Sequence, residues 1–213
     1  MKLLQAALDL FDTQTTLSVL DQVGEYIDII EIGTPLCLST GMSTVTEVKK
    51  RFPDKIVFAD VKIMDGGGII GKMAFDAGAD MVSVMAVAQD STLRATIECA
   101  RSYSRKVLVD MCAVKDMEGR ARQIEAMGPD FICCHVGYDI QKSGVDPITE
   151  LRRLDGVATP KAIAGGIRME TFQAAVDSSA DVIIVGGGLY NHKNMRELAQ
   201  AMRKILDKKN GKE

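Results

Sequence analysis

The chain has 213 residues, 46% of them hydrophobic and 26% charged, with a net charge of −3. That is enough for one large core, in the size range of single-domain α/β barrels, and the slight negative charge gives no general attraction to nucleic acid or an anionic membrane. Aromatic residues are 5% and tryptophan is absent, which argues against a base-stacking platform.

Met1 to Asp9 begins like a signal peptide, but Gln5 and Asp9 cut the apolar stretch short. Leu3 to Asp9 reads instead as a first strand ending on an acid. Thr13 to Val23 carries Leu17, Leu20 and Val23 at helical spacing, with Asp12 or Thr13 as cap. Tyr26 to Gly33 is a second strand with Glu31 near its end. Gly41 to Phe52 reads as a helix stopped by Pro53.

The third strand is the apolar run Ile56-Val57-Phe58-Ala59, which leads directly into Asp60 and Lys62. Residues two apart on a strand share a face, so this pair stands on the same side as Phe58. Asp65 follows, and Gly66-Gly67-Gly68 frees the backbone to turn before a helix from Ile69 to Ala77. Strands are then expected at Asp80–Val87, Lys106–Cys112, Asp130–His135, Lys161–Gly165 and Asp181–Val185. Helices are expected at Ser91–Tyr103, Met117–Met127, Pro147–Leu154, Thr171–Val176 and Asn194–Leu206, and a loop at Gly137–Gly144. Residues 1–207 form one domain in this reading, and 208–213 fray.

Eight strand-like runs alternate with eight helical ones. The strands are continuously apolar, as for strands covered on both faces. No linker divides them, and no Gly-x-Gly-x-x-Gly follows the first strand. A single-domain (β/α)8 TIM barrel, of class α/β, is the expected fold. No later run approaches ~18 uninterrupted apolar residues, so no membrane span is expected and the protein is placed in the cytoplasm. Cys37, Cys99, Cys112, Cys133 and Cys134 are an odd number without paired spacing and read as reduced thiols. Adjacent strand residues face opposite ways, which argues against Cys133-Cys134 as a metal pair.

Polar residues recur at one end of the strands: Asp9, Glu31, Asp60 with Lys62, Asp110 and His135. In a barrel that end is the active-site mouth. Like charges a few Å apart repel by roughly 4 kcal/mol at an effective dielectric near 20, so some acids are protonated or a cation sits among them. Oxygen ligands from neighbouring strand ends suit Mg²⁺, with Glu31 and Asp60 as candidates. A structural ion pair with Lys62 is the competing explanation for the same residues. Gly165-Gly166 and Gly186-Gly187-Gly188 turn where barrels commonly hold substrate phosphate, with Arg168 near the first turn. Tyr138 and Asp139 are placed at the rim, and His192 in an exposed loop.

Six stretches carry a family likeness, in order along nearly the whole chain. They are Asp28–Thr34, Ala59–Asp65, Val107–Met111, Cys134–Asp139, Ala162–Ile167 and Ile184–Gly188. The chain resembles the orotidine 5′-monophosphate decarboxylase suprafamily, and within it the 3-hexulose-6-phosphate synthase family. The resemblance implies a Mg²⁺-dependent, reversible aldol condensation of formaldehyde with D-ribulose 5-phosphate through a metal-stabilised enediolate. It implies Glu31 and Asp60 as metal ligands, and Asp60, Lys62, Asp65 and His135 as the catalytic set. Lys62 would stabilise the enediolate and His135 carry the proton. Asp9 and Asp110 would bind substrate hydroxyls, and Gly165, Gly166, Gly187 and Gly188 the phosphate. Asp65 would complete the site of a neighbouring subunit, making a homodimer. The sister family of 3-keto-L-gulonate-6-phosphate decarboxylases is the alternative; its pattern has arginine in place of Tyr138 and glutamate in place of Asp110. A non-catalytic sugar-phosphate-binding barrel is the second alternative.

Overall fold

Continuous apolar strands need cover on both faces, and these strands have it. The computed structural model describes residues 1–212. The strands are β1 (Leu3–Leu8), β2 (Ile29–Ile32), β3 (Ile56–Ile63), β4 (Met81–Met85), β5 (Lys106–Asp110), β6 (Phe131–His135), β7 (Lys161–Ala164) and β8 (Val182–Val185). Each pairs in parallel with the next, and β8 pairs with β1, so the sheet closes into a barrel. The helices are α1 (Thr13–Val23), α2 (Thr34–Thr40), α3 (Ser43–Arg51), α4 (Gly67–Asp76), α5 (Asp90–Ser102), α6 (Met117–Glu125), α7 (Pro147–Leu151), α8 (Met169–Asp177), α9 (Gly187–Tyr190) and α10 (Met195–Lys209).

Two cores follow from the alternation of side chains along each strand. Leu4, Ala6 and Leu8 of β1 pack outward with the helices. Ala7 points inward, with Ile29, Phe58, Met81, Leu108, Cys133, Ala162, Val182 and Ile184 in the barrel interior. Cys133 and Cys134 do face opposite ways: one lies in the interior, the other in the outer core. All five cysteines are free thiols, with Cys99 and Cys112 only half-buried.

The structure departs from the expected elements in several places. The loop expected at Gly137–Gly144 holds a 3-10 helix at Tyr138–Ser143, and Tyr26, expected in the second strand, lies in a 3-10 turn at Gly24–Tyr26. A helix not anticipated, α2, starts at Thr34-Pro35 directly after β2, with proline in its first turn, where a missing N–H costs nothing. The α4 helix begins at Gly67, two residues early. Gly66 supplies the left-handed turn at φ 63°, whereas Gly67 is needed for packing: a Cβ there would stand 2.4 Å from Thr96 Oγ1 and 2.5 Å from the Thr92 carbonyl. The Gly187-Gly188 turn is itself the short helix α9. The tail expected to fray from Lys208 adds two residues to α10. Asn210 then ties both backbone groups of Lys2, at 2.7 and 3.0 Å, which holds the two ends of the chain together. Glu213 lies outside the described residues.

The N-terminal end of the barrel is fastened by a repeated device. Asp28, Asp80, Asp130 and Asp181 each stand just before or at the start of an even-numbered strand. Their carboxylates accept the backbone N–H of Leu4, Val57, Val107 and Lys161 respectively, at 2.8 to 2.9 Å. Each acid's own backbone N–H donates to the carbonyl of that same residue. Three of the four also meet a cation: Arg203 at Asp28, Lys49 and Arg105 at Asp80, and Lys106 at Asp130.

Candidate active site

The C-terminal ends of the strands bring the expected polar residues together. Glu31, Asp60 and Asp110 are buried, at 7%, 6% and 3% exposure. Lys62 Nζ lies between two of them, 2.7 Å from Asp60 Oδ2 and 3.4 Å from Asp110 Oδ2. The backbone aids this placement in a way alternation alone does not describe. Lys62 has φ 43°, in the left-handed region, and the β3–β4 pairing shifts register between Ala59 and Ile63. This bulge sits where the chain leaves the regular ladder, and bulges of this kind re-aim a side chain. A left-handed non-glycine residue costs roughly 1–2 kcal/mol. The bulge is tied down by Ser83, whose hydroxyl accepts the Lys62 backbone N–H at 2.8 Å and donates to Asp60 Oδ1 at 2.7 Å.

His135 Nδ1 lies 2.8 Å from Asp110 Oδ2. Asp110 Oδ1 accepts the backbone N–H of Cys112 at 2.8 Å. Both oxygens of Asp110 are therefore engaged within the protein, so a substrate hydroxyl would compete with these donors. Burial works against protonation of His135, but the hydrogen bond to Asp110 and that residue's charge outweigh it, and the imidazole pKa is raised. Burial also pushes the Asp110 carboxyl upward, and its bond to His135 together with the His135 and Lys62 charges more than reverses this. Burial likewise opposes the ammonium of Lys62, and Asp60 and Asp110 prevail, so its pKa is raised.

Glu31 is different. Burial first, and the Asp60 charge second, hold its carboxyl well above the usual carboxylate range. Its one side-chain hydrogen bond among the described residues comes from Gln5 Nε2, 2.5 Å from Oε2. Gln5 is fully buried, and its Oε1 has no hydrogen-bond partner among the described residues. Asp9 stands at the open rim, where desolvation and then Asp60 raise its pKa. Gly33 makes room for it: a Cβ there would lie 2.3 Å from Asp9 Oδ1.

Glu31 and Asp60 fit a hard divalent ion on this geometry. They are two buried carboxylates, the Asp60 charge adds to the cost of ionising Glu31, and Glu31 has an oxygen without a hydrogen bond among the described residues. Carboxylate oxygens are the donors Mg²⁺ takes. The three-residue group with metal-ligand spacing, however, is Asp110, Cys112 and His135. Its thiol is not a ligand for Mg²⁺.

The two glycine turns also meet. A Cβ on Gly188 would lie 2.7 Å from the Ile167 carbonyl, and one on Gly165 2.3 Å from the Val136 carbonyl. Gly165 and Gly166 both have positive φ, 107° and 70°. Glycine is therefore required at Gly165 by both space and conformation. Arg168 is exposed and is the N-cap residue of α8, its backbone N–H and carbonyl both bonded to the Thr171 hydroxyl at 3.2 Å.

Asp65 is not brought into the cluster of its own chain. It is exposed and accepts the backbone N–H of Gly66 at 2.8 Å. Tyr138 and Asp139 are exposed on the loop after β6, and His192 is exposed after α9. Three residues of the site escape sequence reasoning: Gln5, Ser83 and Thr34, whose Oγ1 is 2.8 Å from Asp60 Oδ2. The available signal was a single uncharged polar residue inside an otherwise apolar strand, at Gln5 and Ser83.

The chain matches the family described as orotidine 5′-phosphate decarboxylase / HUMPS over residues 2–202. It is 40% identical over 205 residues to a 3-hexulose-6-phosphate synthase of Bacillus subtilis, covering 95% of this chain and 98% of that one. A solved 3-hexulose-6-phosphate synthase of Salmonella typhimurium superposes with a TM-score of 0.95 at 34% identity, over 97% of this chain and 99% of that one. A solved 3-keto-L-gulonate-6-phosphate decarboxylase of Vibrio cholerae superposes with a TM-score of 0.86 at 27% identity, over 97% and 98% of the two chains.

Proposed function

The chain belongs to the orotidine 5′-phosphate decarboxylase / HUMPS family, and we propose that this lyase condenses formaldehyde with D-ribulose 5-phosphate, reversibly, to D-arabino-hex-3-ulose 6-phosphate. The observation that carries the reading is the Lys62 ammonium, held between two buried carboxylates and beside an imidazole–carboxylate pair. Removing a proton from the carbon next to a ketone leaves negative charge on oxygen. A fixed ammonium is placed to hold that charge as it develops. His135 is the proton carrier, and Asp110 orients its ring through Nδ1. Glu31 and Asp60 would hold Mg²⁺, which when bound polarises the substrate oxygens. Asp9 is placed at the rim to meet a sugar hydroxyl. The adjoining turns at Gly165-Gly166 and Gly187-Gly188 offer backbone N–H groups to the phosphate.

Asp65 serves a second copy of the chain in this reading. Support comes from the exposed apolar residues around it, Met64, Ile69 and Met73, which are 52%, 72% and 57% accessible. A homodimer across that face would cover them. No helix among the described residues is long and apolar enough to cross a membrane. The free thiols agree with a reducing, cytoplasmic setting. The partners are small sugar phosphates and formaldehyde, with no nucleic acid.

Decarboxylation of 3-keto-L-gulonate 6-phosphate is the second reading, supported by the likeness to the Vibrio cholerae structure. Tyr138, which stands where the decarboxylase pattern has arginine, is 81% exposed and supplies no cation to the mouth. The deciding experiment incubates the protein with ribulose 5-phosphate and formaldehyde, and separately with the keto-gulonate phosphate, with Mg²⁺ and after chelation. Formaldehyde loss that stops on chelation is the expected result. CO₂ release alone transfers the assignment to the decarboxylase. No turnover with either leaves a binding protein, and full turnover without divalent ion removes the metal from Glu31 and Asp60.

A further inference from the structure

Cys112 has no part in the reaction above, yet its thiol stands beside two residues that do. One ligand atom each from Asp110, Cys112 and His135 lie within 4.8 Å of one another. The chain is built to hold the thiol there. Cys112 N is fixed on Asp110 Oδ1 at 2.8 Å. Ala113 then turns in the left-handed region at φ 66°, a conformation an alanine rarely adopts. Gly137, on the next strand end, provides the space: a Cβ there would lie 3.0 Å from Cys112 Sγ.

We propose that Asp110, Cys112 and His135 form a binding site for a thiophilic divalent ion, Zn²⁺ foremost, separate from the oxygen-lined pair Glu31 and Asp60, and that filling it arrests the enzyme. Carboxylate, thiolate and imidazole are zinc's ligand types, and three protein ligands leave a fourth position open. The two pairs thereby sort ions by softness: oxygen alone at Glu31 and Asp60, sulfur and nitrogen at Cys112 and His135. The spacing suits the ion. His135 Nδ1 and Asp110 Oδ2 are 2.8 Å apart, and two ligands on a tetrahedral centre with bonds of ~2.0 Å stand roughly 3.3 Å apart. An ion taking the place of the shared proton needs only a small opening. The S–H bond breaks as the S–metal bond forms and its proton passes to water; the proton between Nδ1 and Asp110 also leaves, to water from a charged imidazole or to Nε2 in a neutral one, as the N–metal bond forms. Lys62 Nζ, 3.4 Å from Asp110 Oδ2, opposes the incoming charge, but it keeps Asp60 as its nearer partner at 2.7 Å. Arrest follows because an imidazole bound to the ion through Nδ1 keeps its one proton on Nε2, which then has no lone pair to take the substrate proton. That consequence rests on the catalytic role given to His135, whereas the site itself does not.

The test uses Co²⁺ as a spectroscopic probe on the full chain, followed by Zn²⁺ inhibition of Mg²⁺-supported turnover. Wild-type protein is expected to develop a thiolate-to-cobalt charge-transfer absorption that saturates at one ion per chain and is displaced by Zn²⁺. Cys112→Ser and Cys112→Ala should lose it, and Cys99→Ser, at the other half-buried thiol, should keep it. Loss of the sulfur ligand should also raise the Zn²⁺ inhibition constant by about tenfold or more, with turnover in Mg²⁺ alone little changed. Absence of the band in wild type overturns the proposal, as does its persistence without Cys112. A wild type that shows the band but no aldol turnover keeps the site and removes the function assigned above.

Discussion

Both ends of this barrel carry four acids, and the two sets have opposite surroundings. At the N-terminal end Asp28, Asp80, Asp130 and Asp181 each accept a backbone N–H, and three also meet a cation of their own. Those charges are compensated one by one, and they clamp each odd strand to its even neighbour. At the mouth Asp9, Glu31, Asp60 and Asp110 share the Lys62 ammonium and the His135 ring. There burial and mutual repulsion raise Glu31 and Asp9, while Asp110 is lowered. Residue type does not separate structure from function here; charge balance does. Acids that each meet donors of their own hold the fold, whereas four acids sharing one ammonium and one imidazole leave an excess of negative charge that a ligand can balance.

The comparison breaks hardest at Lys62. Replacing it with alanine should lower kcat for aldol turnover by about 10²-fold or more, as loss of a charge-stabilising donor does. Lys62→Gly separates charge from backbone strain. Glycine relaxes the left-handed backbone at that position yet lacks the ammonium. The two variants should be equally slow, with the glycine form the more stable to denaturant. A glycine variant that recovers activity would assign the bulge, and not the charge, as the working part. An alanine variant with unchanged kcat would make Lys62 structural.

The opposite end should answer in stability and leave rate alone. Asp80→Ala strips the partner from the Val57 N–H and from Lys49 and Arg105. An unsatisfied buried donor costs about 1–3 kcal/mol. For a chain of this length each kcal/mol lowers Tm by roughly 2–4 °C. A fall of several degrees with kcat unaltered at room temperature is expected from thermal melts and steady-state assays. A loss of kcat without a change in Tm would mean that the closed end reaches the chemistry, and the division drawn here would not hold.

How far the two ends were legible in the sequence differs for a physical reason. The barrel was readable because apolar residues dominate all eight strands, and the mouth because charge within such runs is costly and stands out. Gln5, Ser83 and Thr34 carry no charge, and each acts only through a neighbour on another strand or helix. Gln5 reaches Glu31 because β1 and β2 pair with Gln5 opposite Ile29, and Ser83 reaches Asp60 across the β3–β4 shift. Registers of that kind are set by closure of the barrel. The bulge at Lys62 has no local signature, since nothing marks lysine for a left-handed turn. Asp80, Asp130 and Asp181 open expected strands and Asp28 lies within one, but the reach of all four to the preceding strand is plain only with the pairing. Asp65 lies just past the C-terminal end of β3, exposed and outside the cluster of its own chain.

The smallest expected effect lies in pH, at the histidine of the mouth. The pKa of His135 is raised because Asp110 outweighs the penalty of burial. A group held more tightly protonated when folded contributes stability that is complete below its unfolded pKa of about 6.5 and is lost as pH rises through the folded value. The denaturation midpoint of wild type should therefore exceed that of His135→Gln most below about pH 6.5, and the gap should narrow as pH rises above that ordinary histidine value. Activity should run the other way. With His135 as the proposed base, a neutral imidazole takes the substrate proton, so kcat/KM should rise over the range in which the stabilising charge disappears, with its midpoint above the ordinary histidine value. Asp110→Asn removes the carboxylate that raises the ring and should move that midpoint downward. A gap that stays constant with pH would show that the His135–Asp110 contact is a neutral hydrogen bond, and would place His135 with the compensated acids of the closed end in holding the barrel and not in working it.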